Sequence, residues 1–311
     1  MGKRGCLVLL YVCLLSAMAG GQNLVWKDTM VLVALQNPSD SGISLVQFRF
    51  TQDMEYAFTC SNLLMLNWQK GDGVGQLTMQ QLVKYRSKLN YSRNFTISTS
   101  FIHSLGIQFF FDSISRFQPD ENTLDTRMEL KLWKNLTFTF HSNLTTRLFN
   151  GYDYSSDQGG TLLRTINSAF LTPLLGTFSA GFGWTVPRLG TFSFGLSAAK
   201  LTVVVNRDVF DQQDIIEFYG VPKEKSHWFE YGFSMHLMVD KDILKRVHWN
   251  CDLLIFKNYQ KPIDLVVRNL IAIRLNKMLK ATIQTRICYE KEVSENIQVE
   301  NLFSLGLYFN L

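Results

Sequence analysis

The chain closes on Asn301-Leu-Phe-Ser-Leu-Gly-Leu-Tyr-Phe-Asn-Leu311, and the reading of this stretch decides the fold. Phe303, Leu305, Leu307, Phe309 and Leu311 share one parity; Leu302, Ser304, Gly306, Tyr308 and Asn310 share the other. Side chains of an extended strand alternate between two faces, so this is a strand with one wholly apolar face. Such a strand suits the inner face of a soluble sandwich or the lipid face of a barrel. The segment alone does not choose between them.

A closing strand of this kind resembles the C-terminal signal of Gram-negative outer-membrane β-barrels. The resemblance implies that Phe303, Leu305, Leu307, Phe309 and Leu311 form an assembly signal. It also implies that the last strand pairs with the first, because an open sheet edge in lipid leaves backbone groups unsatisfied.

The opposite end of the chain reads as a cleaved secretory signal over residues 1–21. Lys3 and Arg4 precede the apolar run Cys6 to Leu15, and Ser16-Ala-Met-Ala-Gly-Gly21 supplies the small-residue exit. The run is too short for a spanning helix, which needs about 20 apolar residues. Cleavage removes Lys3 and Arg4, lowering the formal charge of +5 by two, and removes Cys6 and Cys13. Cys60, Cys251 and Cys288 remain, too scattered for a disulfide framework or a zinc site. No later run is long enough for a membrane helix, and mean hydropathy is +0.01. That excludes a helical membrane protein but not a barrel, whose lipid-facing residues are diluted by lumen-facing ones. The Asn-x-Ser/Thr triplets at Asn90, Asn94, Asn135 and Asn143 carry little weight in a chain rich in these residues.

Between the ends, residues 22–54 read as an N-terminal periplasmic segment or extra strands, and 55–311 as a barrel. Period-two stretches run over about 55–67, 75–90, 95–111, 122–133, 137–149, 170–186, 191–205, 227–239, 246–257, 263–276, 278–289 and 299–311. In 95–111, Phe95, Ile97, Phe101, Leu105, Ile107, Phe109 and Phe111 oppose Thr96, Ser98, Ser100, Ser104 and Gln108. Strands of sandwiches average about 5–6 residues; these are long enough to cross a bilayer when tilted. Long connections alternate with tight ones. The expectation is an all-β, transmembrane, antiparallel up-and-down β-barrel of about 12 strands (alternative 14), with short periplasmic turns and longer extracellular loops.

At Asn67-Trp-Gln-Lys-Gly-Asp-Gly73, Leu148-Phe-Asn-Gly-Tyr-Asp-Tyr154 and Ser197-Ala-Ala-Lys-Leu-Thr-Val-Val204 the chain resembles an uncharacterised family of Gram-negative outer-membrane barrels, a domain of unknown function. The third motif is one residue short of the family form. The resemblance implies fold and location from about residue 50 onward, and no activity.

Alternation assigns faces strand by strand, because a one-residue slip exchanges them. Lys84, Arg86, Lys88, Arg127, Lys131, Arg147, Arg246, Arg268, Arg274, Lys280 and Arg286 fall on the polar face, against Asp125, Glu129, Glu230, Asp252, Asp264 and Glu300. A midplane Lys or Arg facing lipid costs about 2–4 kcal/mol, so these groups line a lumen, together with His141, His236 and His248. The functional expectation is a small-solute channel with a net-basic lumen passing a small anionic solute. The alternative is a closed barrel, filled by paired charges, with a structural or partner-binding role. An outer-membrane lipid hydrolase is a third reading: Phe140-His-Ser-Asn-Leu144 resembles the His-x-Ser-Asn arrangement of outer-membrane phospholipases. His141 and Ser142 are adjacent, however, and a strand points them apart. His248, Asn250 and Asp252 with His236 are a candidate metal set, outweighed by ordinary hydrogen bonding. Neither cofactor nor metal is implied. The expected partners are membrane lipid and the outer-membrane assembly machinery; no basic stripe with interleaved aromatics points to nucleic acid.

One hairpin permits a register. In 122–133 and 137–149 the inward residues are odd-numbered, so paired numbers must sum to an even value. A three-residue turn, Lys134-Asn135-Leu136, sets Glu129 opposite His141, Arg127 opposite Asn143 and Lys131 opposite Thr139.

Overall fold

The computed structural model describes residues 29–36, 43–66, 76–110, 120–156, 162–186, 190–259, 263–289 and 296–310. Its strands are β1 (Thr29–Gln36), β2 (Ile43–Leu66), β3 (Gln76–Asn90), β4 (Phe95–Phe110), β5 (Asp120–Lys131), β6 (Leu136–Thr146), β7 (Gly151–Ser156), β8 (Leu162–Ser168) and β9 (Leu174–Val186). They continue as β10 (Gly190–Val203), β11 (Glu217–Phe218), β12 (Val221–Pro222), β13 (His227–Leu244), β14 (Val247–Asn258), β15 (Ile263–Arg274), β16 (Leu279–Tyr289) and β17 (Gln298–Asn310). One short helix, α1 (Asp208–Gln213), precedes β11.

The main sheet runs β2-β17-β16-β15-β14-β13-β10-β9-β6-β5-β4-β3, and β3 pairs back onto β2. The result is a closed, antiparallel barrel of twelve strands. Closure is made by β17 against β2, from Val299 opposite Leu66 to Asn310 opposite Glu55. Chain direction puts the connections around Tyr91–Asn94, Leu132–Asn135, Lys245–Arg246 and Leu275–Met278 at one end and the long connections at the other.

The two surfaces of the sheet are inverted relative to a soluble protein. Phe58, Phe101, Leu130, Phe138, Phe182, Trp184 and Phe192 are exposed, as are Phe303, Leu305, Leu307 and Phe309 of β17. Buried polar residues include Thr59, Ser61, Thr78, Thr139, Ser234 and Glu230. A sheet that buries hydroxyls and carboxylates and exposes aromatics has hydrocarbon outside and polar groups within. Leu311 lies outside the described residues, as does the first family-like motif at 67–73.

Several elements differ from the sequence expectation. β2 starts at Ile43, and its pairing to β3 begins at Arg49 rather than at Glu55. β1 pairs with the Ile43–Phe50 part of β2. β13 continues through Asp240 and Asp242 to Leu244, so 240–245 is mostly strand, and the turn is Lys245–Arg246. Arg246 therefore sits exposed in a turn and not in the lumen.

The β5–β6 register is also corrected. Arg127 stands opposite His141, Glu129 opposite Thr139 and Lys131 opposite Thr137. The connection is wider than a three-residue turn, closed by the Leu132 and Trp133 amides donating to the Leu136 carbonyl. Sliding by two residues keeps every side chain on its face, so face assignment alone cannot choose between the two registers.

The connections expected as plain loops hold structure. Residues 150–167 contain most of the β7–β8 hairpin, and 206–226 contain α1 and the β11–β12 hairpin. Ile166, Ala169, Val204, Val209, Phe210, Phe218 and Val221 are buried together, with Tyr152, Ile215 and Trp228 packed against them. Gln212 Oε1 accepts from the Ile166 amide at 3.0 Å and Gln213 Nε2 donates to the Ile166 carbonyl at 2.6 Å, tying one connection to the other. Asp211 holds Lys223 at 2.7 Å, and hydrogen bonding to that carboxylate raises the ammonium pKa. The hydrophobic core is thus a cap over one end of the barrel.

Two outcomes follow. Deleting Phe309–Leu311 opens the β17–β2 seam, and heat-modifiable, membrane-inserted protein should be lost, as read by gel shift of membrane fractions. Phe210→Ala should cost about 3–5 kcal/mol of cap stability, with proteolysis rising in 204–226 while the barrel stays heat-modifiable.

Candidate functional site

The lumen is the candidate site, because the register brings charged side chains from non-adjacent strands together inside it. Contacts that skip one or two strands run along its wall at three levels. Towards the cap, Lys200 Nζ on β10 lies 3.3 Å from Asp264 Oδ2 on β15. Towards the short-turn end, Lys280 Nζ on β16 donates to Glu55 Oε2 on β2 at 2.8 Å and sits 4.2 Å from the centre of the Tyr308 ring.

Between them lies the densest level. His141 Nε2 on β6 is 2.7 Å from Asp125 Oδ2 on β5, and Asn143 Nδ2 donates to the same oxygen at 3.1 Å. His236 Nε2 on β13 pairs with Asp252 Oδ1 on β14, whose other oxygen accepts from Arg268 Nη1 at 3.2 Å. The two imidazoles stack, centroids 5.6 Å apart and planes 10° from parallel. Arg127 Nη2 on β5 donates to Ser193 Oγ on β10 at 2.8 Å, and its Nε lies 3.1 Å from Glu129 Oε1.

The wall between the histidines is made of small residues. Ser179 stands opposite His141 and Ser193 opposite His236. Gly181 and Gly195 face each other across β9 and β10. A Cβ on Gly195 would collide with the Ser234 hydroxyl, and one on Gly181 with the Phe194 carbonyl. Long side chains there would displace the rings. The remaining cavity is about 20 Å³, bounded by Arg127, His141, Ser179, Ser193, Ser234 and His236 among others. That volume holds one water-sized particle.

The other sequence-selected residues distribute along the barrel. Lys84 stands opposite Glu55, Arg86 pairs with Asp53, and Lys88 stands opposite Thr51. Lys131 and Arg274 are exposed at the short-turn end. Arg286 stands opposite both Arg268 and Glu300, and Glu230 opposite Lys200. Arg147 lies beyond the end of β6 and donates to Ser168 Oγ at 3.0 Å, holding the cap rather than the barrel interior. His248 is bracketed by Asp240 at 3.1 Å and Asp242 at 3.0 Å, apart from the His236–Asp252 pair. Among the described residues, no three His, Cys, Asp or Glu side chains converge as a metal site. His141 and Ser142 point to opposite faces, Ser142 standing beside Thr126 and Phe178.

Sequence reading missed five inward acids, among them Glu121 opposite buried Ser104, and one inward lysine. Asp53, Glu55, Asp240 and Asp242 oppose Arg86, Lys84, Asn250 and His248; they lay beyond the assumed strand limits or at their edge. Lys200 was hidden by a bulge: the register of β10 shifts between Gly195 and Ala198, so odd residues face inward before it and even ones after it. The bulge lies at the start of the third family-like motif.

No family model and no curated protein sequence matches the chain, so the family resemblance stands without a matching model. Solved structures do align. An outer-membrane channel from Pseudomonas putida F1 aligns over 88% of this chain and 100% of its own, at 9% identity and TM-score 0.43. The translocator domain of the autotransporter NalP from Neisseria meningitidis aligns over 83% of this chain and 88% of its own, at 10% identity and TM-score 0.41. The NanC porin gives 80% and 98% coverage, 5% identity and TM-score 0.38.

The Lys280–Glu55 pair tests the energetics. Both side chains are about one-fifth exposed. Lys280→Met should destabilise the barrel by about 2–3 kcal/mol, below the full cost of breaking a buried pair. Adding Glu55→Gln should recover much of it, as measured by urea unfolding in lipid vesicles.

Proposed function

We propose that the protein is an outer-membrane channel for small solutes, without enzymatic activity, inserted with its short turns in the periplasm and its cap outside. The observation that carries this reading is the mid-lumen level: Arg127, His141, His236 and Arg268 meet inside a closed barrel as side chains alone, with no backbone plug among the described contacts, and rotamer changes can part them. Apolar side chains on the barrel exterior support the membrane location. The basic excess inside is smaller than the sequence suggested, because Asp53, Glu55, Asp240 and Asp242 join the inward face.

The inward pairs Lys200–Asp264 and Lys280–Glu55, each satisfied within the lumen wall, favour a second reading, a closed barrel with a structural or partner-binding role. The lipid-hydrolase reading loses its motif, since His141 and Ser142 lie on opposite faces.

Planar-bilayer recording separates the two that remain. The purified protein should conduct in small unit steps, and the double variant His141→Ala, His236→Ala should enlarge them. Silent membranes for both proteins would assign the closed-barrel role.

A further inference from the structure

We propose that the mid-lumen cavity between Arg127, Ser193, Ser234, His141 and His236 is a proton-linked binding site for one small monovalent anion of halide size. The ligand class follows from what lines the cavity. Its polar lining is a guanidinium, the hydroxyls of Thr139 and three serines, and two imidazoles, with no carboxylate; Gly181, Gly195, Phe182, Phe194 and Leu254 complete the wall. Its volume, about 20 Å³, admits a single particle the size of a water molecule.

The proton link follows from which nitrogens are already engaged. Each imidazole has its Nε2 on a carboxylate, His141 on Asp125 and His236 on Asp252. A neutral ring then carries its proton at Nε2 and leaves Nδ1 as an acceptor; the second proton goes to Nδ1 and makes it a donor. Charged groups reach His141 from β5, namely Asp125, Arg127 and Glu129, while β9 offers only Ser179. His236 is met by Asp252 from β14, by Arg268 from β15 through Asp252, and by uncharged Ser193 from β10. With neutral rings, three carboxylates outweigh two guanidiniums and the level is net negative by one. Two protons make it net positive by one. Two stacked imidazolium rings also repel each other, and an anion beside Arg127 and the serine hydroxyls relieves that repulsion.

The occupancy claim stands without the channel reading; its consequence for selectivity rests on it. Crystals of the detergent-solubilised protein are soaked in sodium bromide at about pH 5 and at about pH 8. An anomalous bromide peak beside Arg127 and Ser193 is expected at the lower pH only. It should be lost in the double variant His141→Gln, His236→Gln and in Arg127→Gln. If those variants fail to assemble, the imidazole resonances of the native protein should shift on bromide addition at the lower pH alone. No peak and no shift at either pH, or binding indifferent to pH, overturns the site. In bilayers under a salt gradient, acidification should move the reversal potential towards that of the anion. A pH-dependent bromide peak with electrically silent membranes keeps the site and removes the channel. Conducting membranes with no bromide peak do the reverse.

Discussion

In hydrocarbon, every backbone N–H and C=O without a partner costs several kcal/mol, and that constraint governs this molecule. The chain meets it by running its last strand against its first long one, from Asn310 at Glu55 to Val299 at Leu66. Once the sheet is a cylinder, each strand has a wet face and a greasy face, which is why alternation persists over strands such as β3 and β4. It is also why the usual order of burial is reversed, with phenylalanines exposed and hydroxyls buried. The buried apolar cluster of the cap then has to be assembled outside the sheet, from β8, α1 and the two small loop hairpins.

A polar interior creates a second demand: charges taken from water need partners. The barrel meets it with pairs that reach past one or more strands, such as Lys200 with Asp264 and Lys280 with Glu55. At mid-height the same logic brings two Asp–His pairs face to face. Room for the rings comes from the wall between them, where Gly181, Gly195, Ser179 and Ser193 leave the inner surface of β9 and β10 clear of long side chains.

The number of strands and the face of most residues were legible in the sequence, because period-two alternation over a dozen residues has no other economical reading. Three things were not. The β5–β6 register was ambiguous, since any even pairing sum satisfies both faces, and only the width of the turn at Leu132–Leu136 selects one. Lys200 went unassigned because it follows a bulge, where one extra residue exchanges the faces of everything after it. The stacking of His141 on His236 depends on the stagger and curvature of the closed sheet, to which no local pattern refers. The cap was illegible for a related reason: Ile166, Val209, Phe210 and Val221 come from two connections and share no period.

The N-terminal strand has a consequence for how the cylinder is set. β1 and β17 lie along the same edge of β2, one after the other: Thr29 stands opposite Phe50 and Asn310 opposite Glu55. Only Thr51–Met54 separates them on that edge. A closing strand is free in principle to slide along its partner in two-residue steps without exchanging its faces. Here the end of β1 lies four residues further along that edge, so a slide of β17 in that direction meets another piece of backbone after one or two such steps. The range of staggers open to the closing strand, and with it the alignment of inward groups around the lumen, is thus limited on one side by a strand that is not part of the cylinder itself.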